Sequence, residues 1–500
     1  MSSHAYRDFS EYAASPVEVR MIIWVMFVAL VLTMSWGADL TSSTSFVLVV
    51  LVAIPTAFLL RHVYRREHVP SFTLLVVFLA AYCPNMLKSM EQGFTFPLPA
   101  SGDSVNLALL ALVFFLIIAT LVGQFTTLLL KRPAKSIEDL ITAGRPEFGA
   151  IAIGITAAIS TVSGFSSGMW SHYAETVQSE SGGIRLELLY FPLLFGFSAA
   201  MGRSTLKEII GEKLQTSRAA WMGCLWVGTI ALLFIAQSRR MMLGALILSI
   251  VSAWLETPRV SVVRTSFVSA GLAFLGVVLL IGSYLWRLEG PTTNAVDQMK
   301  VISGRSVDLA AASQNFSERL TYLWIDSTSI DHFDALEGHY DLWDSLSTTL
   351  IKATPGIVMP DKYLTDKVVC EMPYELLGMN TDLPCTPITE GLLFGGIPGL
   401  AFTAAFFGLT LGIVTSMYRR GSFVMVTLAG VALSNCLQIE CSAFPIVDAS
   451  RLLMLTVSLS AVFAWTLRLV NRARTTTTII HAHARRHPRP VYPRAITYEK

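Results

Sequence analysis

The chain carries about twelve apolar segments of roughly 15 to 27 residues, each near the ~20 residues that an α-helix needs to cross the hydrocarbon core of a bilayer. They run from Met21 to Trp36, Thr44 to Leu60, Ser71 to Met86, Val105 to Leu130, Phe148 to Met169, Leu186 to Met201, Ala219 to Gln237, Met241 to Leu255, Ser266 to Trp286, Gly391 to Met417, Ser422 to Leu437 and Val447 to Leu467. In lipid every backbone N–H and C=O must bond within its own helix. The expected fold is therefore all-α, a polytopic transmembrane bundle of about 12 helices. Composition agrees, with 53% hydrophobic and 14% charged residues. The first apolar stretch follows a long, partly acidic leader, "MSSHAYRDFSEYAASPVEVR", and is expected to be an uncleaved helix. Net charge is close to neutral, at +2, which argues against nucleic acid as a partner.

Lys and Arg gather in alternate short connections: "RHVYRRE", "KRPAKSIEDLITAGR", "GRSTLKEIIGEKLQTSR", "PRVSVVR" and "YRR". The positive-inside rule puts those segments and both termini in the cytoplasm. By the same count Ser238, Arg239 and Arg240 emerge on the opposite, external face. Two arginines at a membrane boundary are costly unless they snorkel to lipid phosphates or meet an anion. An anion site is the preferred reading.

Residues 287–390 form a long hydrophilic insertion with about fifteen Asp or Glu against about seven Lys or Arg, expected to be a large external loop. Within it, Phe333, Leu336, Tyr340, Trp343, Leu346 and Leu350 recur at steps of three and four, the spacing of an amphipathic helix. Thr328 and Asp331 would form a capping box at its start, and Pro355 and Gly356 would stop it. His332 and His339 then share one edge of the apolar face. Residues 1–286 hold the first nine helices, 391–467 the last three, and 468–500 a basic cytoplasmic tail whose Thr475 to Thr478 run and "HAHARRHPRP" end read as disordered. Of the six cysteines, Cys83 and Cys224 fall within helices. Cys436 and Cys441 sit near an external turn, while Cys370 and Cys385 share the loop, where an oxidising compartment permits a bridge.

No phosphate-binding glycine loop, dinucleotide fingerprint, H-E-x-x-H pair or paired zinc ligands occur, so the expectation is chemistry with no metal and no cofactor. "GFSSG" at Gly164 to Gly168 fits small residues at a helix interface better than a nucleophile elbow. On the external side Arg239, Arg240, Arg319, Lys352, Lys362, Lys367 and Arg451 are set against Asp326, His332, His339 and Glu390. Cations can hold a diphosphate leaving group, and a carboxylate or imidazole can take a proton from an attacking hydroxyl. Glu390 has a structural alternative as the anion at a helix N-terminus.

The layout of helices, "QSRRMMLGALIL", "ERLTYLWIDS", "TLIKATPGIVMPDKYLTDK" and "TPITEGLLFGGIPGLAFTAAFFGLTLG" together resemble bacterial O-antigen polymerases of the Wzy type, within the superfamily that also holds the O-antigen ligases. The resemblance puts Arg240 (or Arg239), Arg319, Lys362 and Glu390 at the family's motif positions. Pro355-Gly356 stands where the family often has Pro-Arg. It implies a multi-pass inner-membrane glycosyltransferase that moves a growing chain from undecaprenyl diphosphate to a lipid-linked repeat unit on the periplasmic face, with a chain-length regulator as a partner protein. In that expectation Arg240, His332, His339 and Glu390 are catalytic, and Arg239, Arg319, Asp326, Lys362, Lys367 and Arg451 bind substrate. A ligase differs from a polymerase only in its acceptor. A flippase or transporter of lipid-linked sugar would call for charges at mid-helix, which are few here, and a non-catalytic scaffold would use the loop for docking.

Overall fold

The computed structural model describes residues 101–166, 186–211, 216–235, 239–257, 322–336, 386–437 and 444–486, with isolated positions within 70–74, 267–278 and 343–354. Among them every regular element is helical. In chain order they are α1 (Gly102–Leu129), α2 (Lys131–Thr142), α3 (Pro146–Ser166), a 3-10 turn (Leu186–Leu189) that leads into α4 (Tyr190–Ile210), α5 (Thr216–Ile235), α6 (Arg239–Glu256), α7 (Tyr322–Asp331), α8 (Phe333–Leu336), α9 (Pro387–Tyr418), α10 (Phe423–Leu437) and α11 (Pro445–Arg486). Eight of the expected spans fall on α1, α3, α4, α5, α6, α9, α10 and α11. The first three and most of the ninth lie outside the described residues.

Asp103–Leu129, Pro146–Gly164, Gly395–Tyr418 and Pro445–Ala473 are long and apolar enough to cross a membrane, while Ala220–Leu233, Met241–Trp254 and Phe423–Leu437 are shorter apolar stretches. The outer faces support a lipid surrounding. On α1, Leu107, Leu110, Leu121, Phe125 and Leu128 make an exposed stripe at helical spacing, and so long an apolar stripe is unfavourable in water. The opposite face of α1 packs on α9, where the Phe115 and Phe407 rings meet edge to face at 5.0 Å and Thr127 Oγ1 donates to the Gly412 carbonyl at 3.3 Å. At the centre lies α10, buried from Val424 to Leu437 between α4, α9 and α11. Its backbone crosses α4 with no side chain between them. A Cβ at Gly430 would lie 2.4 Å from the Gly196 Cα, and one at Gly196 would lie 2.2 Å from the Thr427 carbonyl oxygen.

The C-terminal ends of α1, α4, α6 and α9 meet at one end of the bundle. Ser416 Oγ donates to the Leu130 carbonyl at 2.9 Å, Arg203 pairs with Glu256 at 2.5 Å, and the Tyr418 hydroxyl donates to Ser252 Oγ. The basic α2 follows α1 directly at that end. The N-terminal ends of α1 and α9 lie at the other, with α7 packed on both.

α9 is two arms rather than one rod. Gly395 and Gly396 leave helical geometry, and Gly396 has φ +60°, a left-handed conformation that favours glycine. Thr403 Oγ1 lies 3.3 Å from the Pro387 carbonyl, although 16 residues of straight helix would part them by about 24 Å. A Cβ on Gly391 would lie 2.4 Å from Thr403 Oγ1 and 2.9 Å from the Leu400 Cα. The short arm, residues 387–394, is thus folded back along the long one, so that its N-terminus lies two turns down the long arm.

Three expectations change. The Thr328–Asp331 capping box is not made, because Thr328 lies inside α7 and Asp331 at its end. A turn at His332 separates α7 from α8, and Tyr340 of the expected amphipathic helix lies outside the described residues. Polar residues Asp326 to Ser329 are buried. Lastly, the tail is helical to Arg486. No Gly or Pro lies between Leu467 and Pro488 to stop the helix begun by the apolar stretch, and the threonines there cost only a few tenths of a kcal/mol each, roughly. Cys224 is exposed and Cys436 buried, both as free thiols. Cys83, Cys370, Cys385 and Cys441 lie outside the described residues. Gly164, in the "GFSSG" stretch, closes against the Tyr190 ring, where a Cβ would lie 2.7 Å away, as the helix-interface reading expects.

Candidate functional site

The short arm of α9 begins with Thr386 as N-cap, whose hydroxyl accepts the Thr389 N–H at 3.0 Å, followed by Pro387 in the first turn. Capping hydroxyl and first-turn proline are the ordinary way to open a helix. The arm ends inside the bundle, and there α7 meets it. Asp326 Oδ1 accepts the Thr386 hydroxyl at 2.5 Å and also the Thr389 hydroxyl. Asp326, Thr386 and Thr389 are each 0% exposed, and Glu390, next along, is 3% exposed. Two carboxyl groups expected in an external loop are therefore built into the apolar bundle, where their charge is weakly screened. Glu390 is not the N-cap residue, which is Thr386, but it stands in the first turn of the arm, its N–H donating to the Thr386 carbonyl at 2.9 Å, where a carboxylate is also favoured by the helix dipole.

His332 stands in the turn that ends α7. Its Nδ1 lies 3.0 Å from the Thr328 carbonyl, and because a carbonyl can only accept, the ring proton sits on Nδ1. Nε2 is then the basic nitrogen of the neutral ring. Next to it, Asp331 caps a different helix. Its carboxylate accepts the Ser101 N–H at 2.5 Å and the Ser101 hydroxyl at 2.8 Å, and it also takes the Ser104 hydroxyl, all at the N-terminus of α1. Partial burial pushes the Asp331 carboxyl up, but the Ser104 and Ser101 bonds, with a smaller contribution from His332, outweigh it and leave the group below its ordinary value. The sign follows: the ionised form is the one the fold prefers, so its stabilisation is complete above the ordinary carboxylate range and is lost as pH falls through the lowered value. Melting curves of parent and Asp331→Asn protein in detergent are expected to differ most near neutral pH and to converge in acid. Parallel curves at every pH would remove Asp331 as an α1 cap.

Of the other candidates, Arg239 and Arg240 are the first two residues of α6, at a helix N-terminus, whose dipole favours an anion over a cation. Arg451 is half-buried in the second turn of α11. Arg319, His339, Lys352, Lys362 and Lys367 lie outside the described residues. The structure thus joins Asp326 to the arm that carries Glu390 and puts His332 at the far end of the Asp326 helix. The hydroxyls of Thr386 and Thr389 were not among the candidates, although Thr386-Pro387 is a helix-start signal that pointed to them. No grouping of three or more His, Cys, Asp or Glu side chains suited to a metal occurs among the described residues. Comparison with protein-family models, curated proteins and solved structures returns no match to this chain.

Proposed function

We propose that the chain is a polysaccharide polymerase of the bacterial inner membrane. It would transfer a growing glycan from undecaprenyl diphosphate to the hydroxyl of a lipid-linked repeat unit on the periplasmic face, with both of its own termini in the cytoplasm. The observation that carries this reading is the meeting of Asp326 with the Glu390 arm. Glycosyl transfer to a hydroxyl needs a base held in a site poor in water, and Glu390 beside the Asp326, Thr386 and Thr389 cluster fits that role, with His332 Nε2 as the second candidate. The leaving diphosphate needs cations, and Arg239 and Arg240 supply them at the head of α6, where a helix N-terminus favours an anion. The lipid tail of the donor suits a helix bundle with exposed apolar stripes. Arg319, Lys362, Lys367, Arg451 and His339 stay in the proposal as substrate contacts, and a ligase acting on another acceptor would use the same parts.

The broken α9 favours a second reading. Discontinuous helices whose half-helix ends point into a bundle are how many transporters hold a substrate, so a flippase for the lipid-linked oligosaccharide is the competitor. Surface glycan separates the two. Deletion of the gene should leave single-repeat glycan in place and remove long chains if the protein polymerises, whereas a missing flippase leaves core without repeats. Glu390→Gln at matched protein level should lower chain extension by about 100-fold or more, the usual contribution of a general base. Wild-type chain length in that variant would remove Glu390 from the proposal and leave His332 to be tested in the same way.

A further inference from the structure

At the end of the bundle away from the candidate site, three helices share one buried carboxylate. Glu256, the last residue of α6, is 4% exposed, and Arg203 of α4 is 7% exposed. The Arg203 guanidinium grips Glu256 with Nε at 2.8 Å from Oε1 and Nη2 at 2.5 Å from Oε2. Lys207, one turn further along α4, adds its ammonium at 2.9 Å. From α9 comes the buried Tyr418, whose hydroxyl donates to Ser252 Oγ and lies 3.4 Å from Glu256 Oε1.

Such a cluster is a poor source of stability, because desolvating a buried Arg–Glu pair cancels most of its attraction. What it can supply is register. α6 packs chiefly on α4, and α9 on α1 and α10, so the two helices belong to different packing pairs. The Tyr418 hydroxyl links them directly, reaching Ser252 and Glu256 of α6 from α9. Each is then a stiff rod leading away from this point: α6 is 18 residues long, about 26 Å at 1.5 Å per residue, and the long arm of α9 is roughly 32 Å. At their distant ends stand Arg239 and Arg240 on the one and Gly396, the hinge of the Glu390 arm, on the other. A small slide at the cluster is carried along a rod undiminished.

We infer that Glu256, Arg203, Ser252 and Tyr418 form a positioning cluster that sets the relative height of α6 and α9, and through it the spacing between the Arg239–Arg240 turn and the Glu390 arm. The functional consequence rests on the polymerase reading, while the geometric one does not. None of these side chains touches substrate; they act through the helices that carry the groups that do.

The test measures the spacing and the activity separately. Spin labels on cysteines at positions 243 and 397, near the N-terminal ends of α6 and of the long arm, report the distance by pulsed electron resonance in nanodiscs, in a background without native cysteines. The parent should give one narrow distribution. Tyr418→Phe and Ser252→Ala, which remove a hydroxyl and leave the ion pair in place, should shift it by on the order of 2 Å or broaden it clearly, with the melting temperature little changed. Glu256→Gln should do so more strongly. In cells, Tyr418→Phe should shorten the glycan at matched protein level. Unchanged distances in both hydroxyl variants would overturn the inference, and so would shortened glycan with unchanged distances. Displaced distances with normal glycan would uphold the positioning cluster and count instead against the joint role of Arg240 and Glu390.

Discussion

Gly430→Leu is expected to yield no folded protein, seen as a loss of the monodisperse peak in detergent chromatography and of any cooperative melting. At the α4–α10 crossing the nearest neighbours are backbone atoms. A Cβ on Gly430 would stand 2.4 Å from the Gly196 Cα and 3.2 Å from the Gly196 nitrogen. No rotamer change relieves a clash between main chains, so α4 and α10 must separate. α10 is enclosed on every side, and its displacement would open the contacts with α9 and α11 as well. The cost should exceed about 3 kcal/mol, the upper end of ordinary overpacking, against a total stability of about 5 to 15 kcal/mol. Gly430→Ala already introduces the clashing atom and should be destabilised in the same sense. Gly228 of α5 is the control: a Cβ there meets nothing within 4 Å, so Gly228→Ala should be neutral or slightly stabilising through helix propensity. A Gly430→Leu protein that melts with the parent would mean the two helices do not cross here.

The largest effect on function is expected from Arg240→Ala. If its guanidinium clamps the diphosphate, removal should cost about 2 to 4 kcal/mol of transition-state stabilisation, a factor of about 30 to 1000 in rate, by comparison with loss of one oxyanion donor. Arg240→Lys should restore little, because a point ammonium cannot reproduce the planar two-donor fork that grips phosphate oxygens. A snorkelling arginine would behave otherwise: lysine would replace it fully, and alanine would lower insertion rather than turnover. The measurement is glycan chain-length distribution at matched membrane protein level. Wild-type polymer from Arg240→Ala would end the clamp assignment for that residue and pass it to Arg239.

The existence of the helices was legible because an apolar stretch of about 20 residues has so few other fates. Their ends were less so. α6 starts at Arg239, two residues before the apolar run begins at Met241, and α9 starts at Pro387 rather than Gly391, the latter because the Thr386 cap and not hydropathy decides where the helix opens. Asp326-Ser-Thr-Ser was placed in the large external loop, with Asp326 as a substrate contact. In the fold Ser327 and Ser329 donate to carbonyls one turn back, at 2.5 Å and 2.9 Å, and Asp326 finds two hydroxyls, so the run can be buried. That partnership spans 63 residues from Asp326 to Thr389 and leaves no local trace. Gly395-Gly396 looked like part of a glycine-rich helix, since spacing alone does not distinguish a packing glycine from one at a reversal. Arg203 and Glu256 were passed over for the same reason: each follows an apolar run in a charged segment, and only the packing of α4 on α6 brings them together.

The pairing of α1 with α9 bears on how the protein is made. Thr127 and Gly412, which touch across that interface, are 285 residues apart. At a synthesis rate of about 5 to 20 residues per second, α1 is complete for roughly 15 to 60 s before its partner leaves the ribosome. Throughout that interval the face with Thr127 and Gly123, later covered by the long arm, must be shielded by lipid or by a helix that afterwards gives way. The buried carboxyl cluster has an interval of its own, for Asp326 waits for the hydroxyls of Thr386 and Thr389, 60 and 63 residues further along the chain. A chain stalled before residue 387 would hold α1 in the membrane with one side unmatched, an opening for quality-control proteases that recognise polar groups exposed to lipid.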